Sequence, residues 1–273
     1  MPGNTWQVLK RMNPAQVILL YELGPGEYNT ADWGRLGPGW EWIRREHGPG
    51  TADRWTAVGA KFGECLQGVD YANERLMLVG NPNWQQFYTE DQWLQQVQIF
   101  RNLRHVRAAL NVHGPVHERA NDLGRMDSAD AAGRRAWDVF WFALASFLLG
   151  YDNQRPNGYL NCTVWGYARF YWLREFDPQC LHLGRAQDEF RRVEGRTGHV
   201  YLREFQDGWV VVNPTSTAAA DVAVPRGRAR MIDHDALEQP ESRPLVEQFN
   251  LAAQRAIVLL KEGRALGNSD NNP

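Results

Sequence analysis

The sequence YLREFQDGWVVVN, residues 201–213, contains two β-prone runs separated by Asp207-Gly208. An Asp-Gly pair between such runs is a strong signal for a tight hairpin turn. Downstream, four more short segments separated by turn residues have the same character: Ala219–Val224, Arg228–Ile232, Gln248–Leu251 and Ala256–Lys261. The last two could form one helix by their period, but Ile257–Leu260 is wholly apolar, so we interpret them as two strands. The pattern predicts an antiparallel β domain, a small sandwich, over 199–265, followed by a disordered tail over 266–273.

Upstream of the hairpin, apolar runs that are typical of buried strands alternate with helical patterns. The predicted strands are Gln16–Tyr21, Glu74–Gly80, His105–Val112 and Gly158–Val164. The predicted helices are Glu90–Leu103, with Thr89 as N-cap, and Ala129–Gly150. Strands and helices in alternation indicate an α/β fold with a parallel sheet. We therefore expect a TIM-barrel-like (β/α) domain over 1–198.

The composition is that of an ordinary globular protein. The 273 residues carry 30 Lys+Arg against 32 Asp+Glu, a net charge of −2, and 43% are hydrophobic. Such values exclude a disordered chain and argue against nucleic acid or a polybasic membrane contact as partner. The three cysteines, Cys65, Cys162 and Cys180, form neither a disulfide framework nor a zinc motif.

The sequence carries no sign of targeting to a membrane. Its first residues lack the apolar core of a signal peptide. The apolar run Val139–Leu149 is shorter than the roughly 20 residues of a bilayer span. We expect a soluble protein, cytoplasmic by default and secreted if a leader has been lost from the N-terminus. The oligomeric state stays open.

Several separated blocks resemble a known group of proteins. The blocks are GWEWIRREHG (39–48), RW (54–55), ERLMLVGNPNWQQFY (74–88), ALASFLLGYDN (143–153), YLREFQDGWVVVNPT (201–215) and FNLAAQRAIVLLKEG (249–263). Together they resemble the hypothetical glycoside hydrolases that join a TIM barrel to a C-terminal β domain. The resemblance implies hydrolysis of a glycosidic bond by a carboxylate acid/base pair, a carbohydrate as substrate or ligand, and no organic cofactor.

The sequence also departs from that pattern. A segment like Asp-Gly-x-Phe-x-Asp, which supplies an acid to the sugar site of such barrels, does not occur. Four strand candidates also fall short of the eight strands of a complete barrel. We therefore expect an incomplete barrel. The alternative to a hydrolase is a non-catalytic carbohydrate-binding protein, or a truncated barrel remnant without the catalytic Asp segment.

Glu22 and Glu118 are the candidate catalytic carboxylates, because each lies just beyond a predicted buried strand. Glycoside cleavage needs two carboxyl groups, about 5 to 5.5 Å apart when configuration is retained and about 6.5 to 9.5 Å apart when it is inverted. The alternative is that both glutamates are solvated loop residues. Glu175 and Asp177 we assign instead to a loop with a local salt bridge.

Six further residues are candidates for binding the sugar. Indole rings pack on the C–H faces of sugars, and amide or carboxylate groups bind their hydroxyls. The candidates are Trp55, Asn81, Trp84, Asn111, His113 and Asp152. Turn geometry explains Asn81 equally well, and for Asp152 a turn residue at the end of the apolar helix is the favoured alternative.

A metal site is not expected. His113 and His117 are four residues apart, but Gly114-Pro115 between them argues against a shared helix, and no HExxH motif occurs.

Overall fold

The computed structural model describes residues 19–21, 71–74, 87–102, 107–112, 126, 129–152, 154, 157–162, 173–177 and 180–264. The chain divides into two compact units. The first comprises Met1–Val112 and Gly150–Asn161, and the second His113–Leu149 and Cys162–Pro273.

The first unit contains a four-stranded sheet with the order β1-β2-β3-β4. The strands are β1 (Leu19–Tyr21), β2 (Tyr71–Glu74), β3 (Arg107–Val112) and β4 (Gly158–Cys162). β2 pairs in parallel with both β1 and β3. The order of the strands in the sheet is thus the same as their order along the chain.

Helix α1 (Glu90–Asn102) lies between β2 and β3 in the chain. Thr89 begins it as predicted: the Gln92 amide donates to Thr89 Oγ1, and the Thr89 amide donates to Gln92 Oε1. This reciprocal pair is a capping box, which satisfies two backbone N–H groups. Trp93, Val97 and Phe100, which recur at helical spacing, are almost fully buried and form the apolar face of the helix.

Helix α2 (Ala131–Gly150) is capped by Asp130, whose Oδ1 accepts from the Gly133 amide. In the second unit its C-terminal carbonyl groups accept hydrogen bonds from the buried Arg203: Nη1 donates to Leu148 O and Leu149 O at 3.1 and 3.0 Å. A cation there also complements the negative end of the helix dipole. Neither described helix has the length and hydrophobicity of a membrane-spanning segment.

The second unit is dominated by antiparallel strands. A six-stranded sheet has the order β10-β9-β12-β7-β6-β5, and β11 pairs with β8 in a second, two-stranded sheet. The strands are β5 (Arg191–Glu194), β6 (His199–Glu204), β7 (Gly208–Asn213), β8 (Ala219–Ala223), β9 (Ala229–Ile232), β10 (Leu245–Val246), β11 (Gln248–Leu251) and β12 (Arg255–Lys261). One apolar core, including Leu202, Val211, Val222, Phe249 and Leu259, draws on both sheets.

The predicted hairpin at Asp207-Gly208 is confirmed. β6 and β7 pair antiparallel, and the Phe205 amide donates to Gly208 O at 2.8 Å. Gly208 is required here because a Cβ atom would lie 2.4 Å from Leu259 O on β12. The two strands predicted at the C-terminal end, β11 and β12, are also confirmed.

The expected TIM-barrel-like α/β fold is wrong for the part of the chain that the structure describes. That part is β-rich and mostly antiparallel, with two α-helices and a four-stranded sheet in which β1, β2 and β3 are parallel. A (β/α) barrel requires a closed ring of parallel strands, each followed by a helix. The strands of the second unit instead pair antiparallel, both in hairpins such as β6–β7 and between strands that are distant in the chain, such as β7 and β12.

The predicted strand Glu74–Gly80 lies outside the described residues except for Glu74. Glu74 is the last residue of β2, Tyr71–Glu74. The first antiparallel strand of the second unit, β5, starts at Arg191. The tail over 266–273 lies outside the described residues.

Candidate active site

The parallel sheet brings the carboxyl ends of its strands to one edge. In the backbone register, Asn73 lies opposite Tyr21 of β1 and Ala109 of β3. Glu74, the last residue of β2, lies opposite Leu110. In open sheets of parallel strands, ligands bind beyond this edge, because the loops that follow the strands converge there.

Glu74 is therefore an acidic residue at the carboxyl edge, on a strand hydrogen-bonded to both neighbours. Sequence reasoning missed it by placing it at the start of an apolar run. In the chain, Glu22 directly follows β1 and His113 directly follows β3. Asn73 on β2 and Asn111 on β3 add amide residues close to the same edge.

Most of the predicted site residues lie outside the described part of the chain. These are Glu22, Trp55, Asn81, Trp84, His113 and Glu118. Asn111 is the next-to-last residue of β3.

Asp152 lies in the turn that follows α2, and its carboxylate is engaged within the first unit. Its Oδ2 lies 3.2 Å from Arg101 Nη1, and its Oδ1 accepts from the Gln154 amide at 3.0 Å. Its own amide donates to Asn157 Oδ1. These contacts fit the alternative that the sequence left open for Asp152, which is a turn residue and not a sugar-binding residue.

Asn157 is a buried residue that sequence reasoning did not single out. Its Nδ2 donates to Phe100 O at 2.8 Å and to Gly150 O at 3.0 Å. The side-chain amide of Asn157 thus links the last turns of α1 and α2 to the turn at Asp152. Because all of its partners are backbone groups, we assign Asn157 a structural role in the first unit.

Among the described acids of the second unit, Glu175 has the most enclosed carboxylate. Its side chain is 0% exposed, and its Oε1 accepts from Trp141 Nε1 at 2.8 Å and lies 2.9 Å from His234 Nδ1. The His234 ring stacks on Trp137, with ring centroids 3.3 Å apart. Oε2 has no hydrogen-bond partner among the described residues. The local salt bridge expected for Glu175 is absent, because its partners lie 34 and 59 residues away in the chain.

We expect Glu175→Ala to destabilise the protein by about 1 to 3 kcal/mol, because it leaves the buried Trp141 indole N–H without an acceptor. Glu238→Ala is the matched control: Glu238 pairs with Arg174 on the surface, where such a pair contributes under about 1 kcal/mol. Urea unfolding of both variants measures the difference. Equal losses would show that the buried carboxylate does not stabilise this cluster.

Folding raises the pKa of Asp138, which lies next to Trp137 on α2. Partial burial raises its pKa above the ordinary 3.8, and the charges of Asp233 and Asp235 add to that rise. Arg255, whose Nη2 lies 2.8 Å from Asp138 Oδ2, and Arg135 oppose it without cancelling it. The ionised carboxylate is thus disfavoured by folding, despite its ion pair.

A raised pKa in the folded state gives stability that is present below pH 3.8 and lost as pH rises through the folded value. We therefore expect Asp138→Asn, which cannot ionise, to be more stable than the parent protein at pH 7. The gain stays under about 1 kcal/mol, because 37% of the side chain is exposed. Urea unfolding at pH 7 and pH 3.5 tests this. A loss of stability at pH 7, or a gain of equal size at both pH values, would contradict it.

Among the described residues, no group of three or more His, Cys, Asp or Glu side chains is arranged to hold a metal ion. Comparison of the chain with models of protein families, with curated proteins and with solved structures finds no match.

Proposed function

We propose that this protein is a glycoside hydrolase whose carboxyl pair includes Glu74 at the carboxyl edge of the parallel sheet. The single observation that carries the proposal is the register of β1, β2 and β3, which puts Glu74 at the edge where ligands of parallel sheets bind. The resemblance in the separated sequence blocks supplies the reaction class.

Glu22 is the proposed partner of Glu74. It is the next residue after β1, and β1 is hydrogen-bonded to β2. Neighbouring strands lie about 4.8 Å apart. Acids carried by the ends of adjacent strands therefore suit the separation of about 5 to 5.5 Å that a retaining hydrolase requires.

The chemistry follows from two carboxyl groups in different protonation states. One, protonated, donates its proton to the glycosidic oxygen as the bond to the anomeric carbon breaks. The other, ionised, attacks that carbon and forms a glycosyl ester. Water, deprotonated by the first group, then releases the sugar and restores both groups. This reaction needs no cofactor, and the remaining candidates for sugar contacts are Asn111, Trp55, Trp84, Asn81 and His113.

The test is release of reducing ends from a panel of oligosaccharides by the purified full chain. We expect hydrolysis of at least one glycan, and loss of that activity in Glu22→Gln. Glu118→Gln tests the other predicted carboxylate: if it abolishes activity and Glu22→Gln does not, the pair is Glu74 with Glu118. Failure of the whole panel would contradict a hydrolase, and binding without cleavage would instead support a non-catalytic carbohydrate-binding protein.

A further inference from the structure

A cavity of about 350 Å³ lies at one end of the six-stranded sheet in the second unit. Glu204 ends β6, Trp209 lies opposite it on β7, and Lys261 ends β12. The turn between β8 and β9 completes the wall. The charged and aromatic side chains that line the cavity are Glu204, Trp209, Arg226, Arg228, Lys261 and Glu262.

The ammonium group of Lys261 forms all of its hydrogen bonds within the protein. Its ammonium donates to Glu204 Oε1 at 2.9 Å, to Phe205 O at 2.8 Å and to Gln206 O at 3.0 Å. An ammonium group has three N–H donors, and these three acceptors use all of them. It also lies 4.8 Å from the centre of the Trp209 ring. Lys261 therefore positions Glu204 and has no donor left for a ligand.

Glu204 is nearly buried, yet it is ionised. Burial is the largest influence on its pKa and raises it, but the hydrogen bond and charge of Lys261 and the charge of Arg226 outweigh burial and hold the pKa below the ordinary 4.5. Only 7% of the side chain is exposed. The Glu204 carboxylate and its two cations thus form a charged wall of the cavity that is already in place before a ligand binds.

Arg226 differs from Lys261 because most of its donors are unused. Its side chain is 79% exposed, and Nη1 donates to Glu204 Oε1 at 3.2 Å. A guanidinium has five N–H donors, and that contact to Glu204 is the one that the described residues supply. The backbone of Arg226 lies in the left-handed region, with φ at 59°, a conformation that Gly adopts without strain.

The charges around the cavity do not balance. Three cations, Arg226, Arg228 and Lys261, face two anions, Glu204 and Glu262, which leaves 3 − 2 = +1. Arg228 and Glu262 satisfy each other through two hydrogen bonds, and Lys261 and Glu204 form the second pair. The excess positive charge is that of Arg226.

We propose that this cavity binds a small organic monoanion, with its carboxylate on the Arg226 guanidinium. Arginine presents paired N–H donors in the geometry that a carboxylate accepts. The volume lies at the lower end of the range for small-ligand pockets, roughly 300 to 1,000 Å³, which suits a molecule the size of one sugar ring. The proposal does not depend on the hydrolase activity, because all the residues that line the cavity belong to the antiparallel strands and turns of the second unit.

Titration calorimetry of the full chain with D-glucuronate, D-glucose and inorganic phosphate tests the proposal. We expect glucuronate to bind with a Kd at or below about 1 mM, and glucose, which lacks the carboxylate, to bind at least about tenfold more weakly. Arg226→Gln should weaken glucuronate binding at least about tenfold. Arg226→Gly should do the same, and because glycine adopts the left-handed backbone without strain, thermal unfolding should show that this variant still folds.

Arg196→Gln is the matched control, since Arg196 is also an exposed arginine that forms an ion pair, with Asp221, outside the cavity. It should leave glucuronate affinity unchanged. The proposal is overturned if glucuronate does not bind, or if it binds equally well to both Arg226 variants. Phosphate binding as tightly as glucuronate would overturn the requirement for an organic carboxylate.

Discussion

Glu74→Gln is expected to reduce the hydrolysis of a glycan substrate by about 100- to 10,000-fold. This is the range in which a positioned acid or base contributes to catalysis, and Gln can neither transfer a proton nor act as a nucleophile. Gln is close to Glu in size and keeps a polar side chain at the end of β2, so the sheet register should survive. The measurement is kcat/KM on the best substrate of the panel, together with thermal unfolding.

Glu194→Gln provides the matched control, because Glu194 is also the last residue of its strand, β5, and is exposed. It should retain the activity of the parent protein. If the two variants hydrolyse equally well, Glu74 takes no part in catalysis. If Glu74→Gln fails only because it unfolds, its melting temperature will reveal this, and activity at a temperature where it is folded decides the question.

Asn213→Asp is expected to destabilise the second unit by about 3 to 5 kcal/mol. Asn213 is 0% exposed and ends β7. Its Nδ2 donates to Thr217 O, Leu251 O and Ala252 O at 2.9 to 3.1 Å, and its Oδ1 accepts from the Thr215 amide and hydroxyl. The aspartate would direct a buried, negatively charged oxygen at three carbonyl oxygens. Urea unfolding measures the loss.

The same change at Asn250 is the control. Asn250 is exposed, and it uses only its Oδ1, which accepts from the Asp221 amide at 2.8 Å. A carboxylate oxygen accepts that hydrogen bond equally well, so Asn250→Asp should change stability by less than about 0.5 kcal/mol. A small effect at both positions would show that the amide donors of Asn213 do not hold the end of β7.

The elements that sequence predicted well depend on local signals. The hairpin at Asp207-Gly208 is specified by its turn residues, and α1 by Thr89 and an apolar face of helical period. In both cases, the residues that decide the structure lie within a few positions of one another. Six of the eight described strands of the second unit were located for the same reason, since turn residues bound them, whereas β5 and β10 were not predicted.

The position of β2 could not be predicted in this way. The apolar run at 75–80 suggested a strand beginning at Glu74, whereas Glu74 is the last residue of β2, Tyr-Ala-Asn-Glu. Backbone pairing with β1 and β3, not the hydrophobicity of its own side chains, defines this strand, and both partners are distant in sequence. Because the candidate site lies at the end of β2, this error hid Glu74.

The contacts of the Glu175 side chain could not be predicted for the same reason, since its partners are distant in the chain. In the sequence it lies between Arg174 and Asp177, which suggested a surface loop with a local salt bridge. In the structure Trp141 and His234 enclose it, and both are distant in the chain. The predicted fold class was wrong for a related reason. Four apolar runs predict parallel strands, but whether such strands close into a barrel depends on contacts between residues that are far apart in the chain.

The central claim, that a saccharide binds at the carboxyl edge of the parallel sheet, is tested most directly by hydrogen–deuterium exchange. The Glu74→Gln full chain would be measured with and without the oligosaccharide that the panel selects, since this variant binds without rapid turnover. Slower exchange in peptides that contain the ends of β2 and β3, residues 71–74 and 107–112, is the predicted result. Slower exchange confined to residues 191–264 would place the saccharide in the second unit and contradict the account.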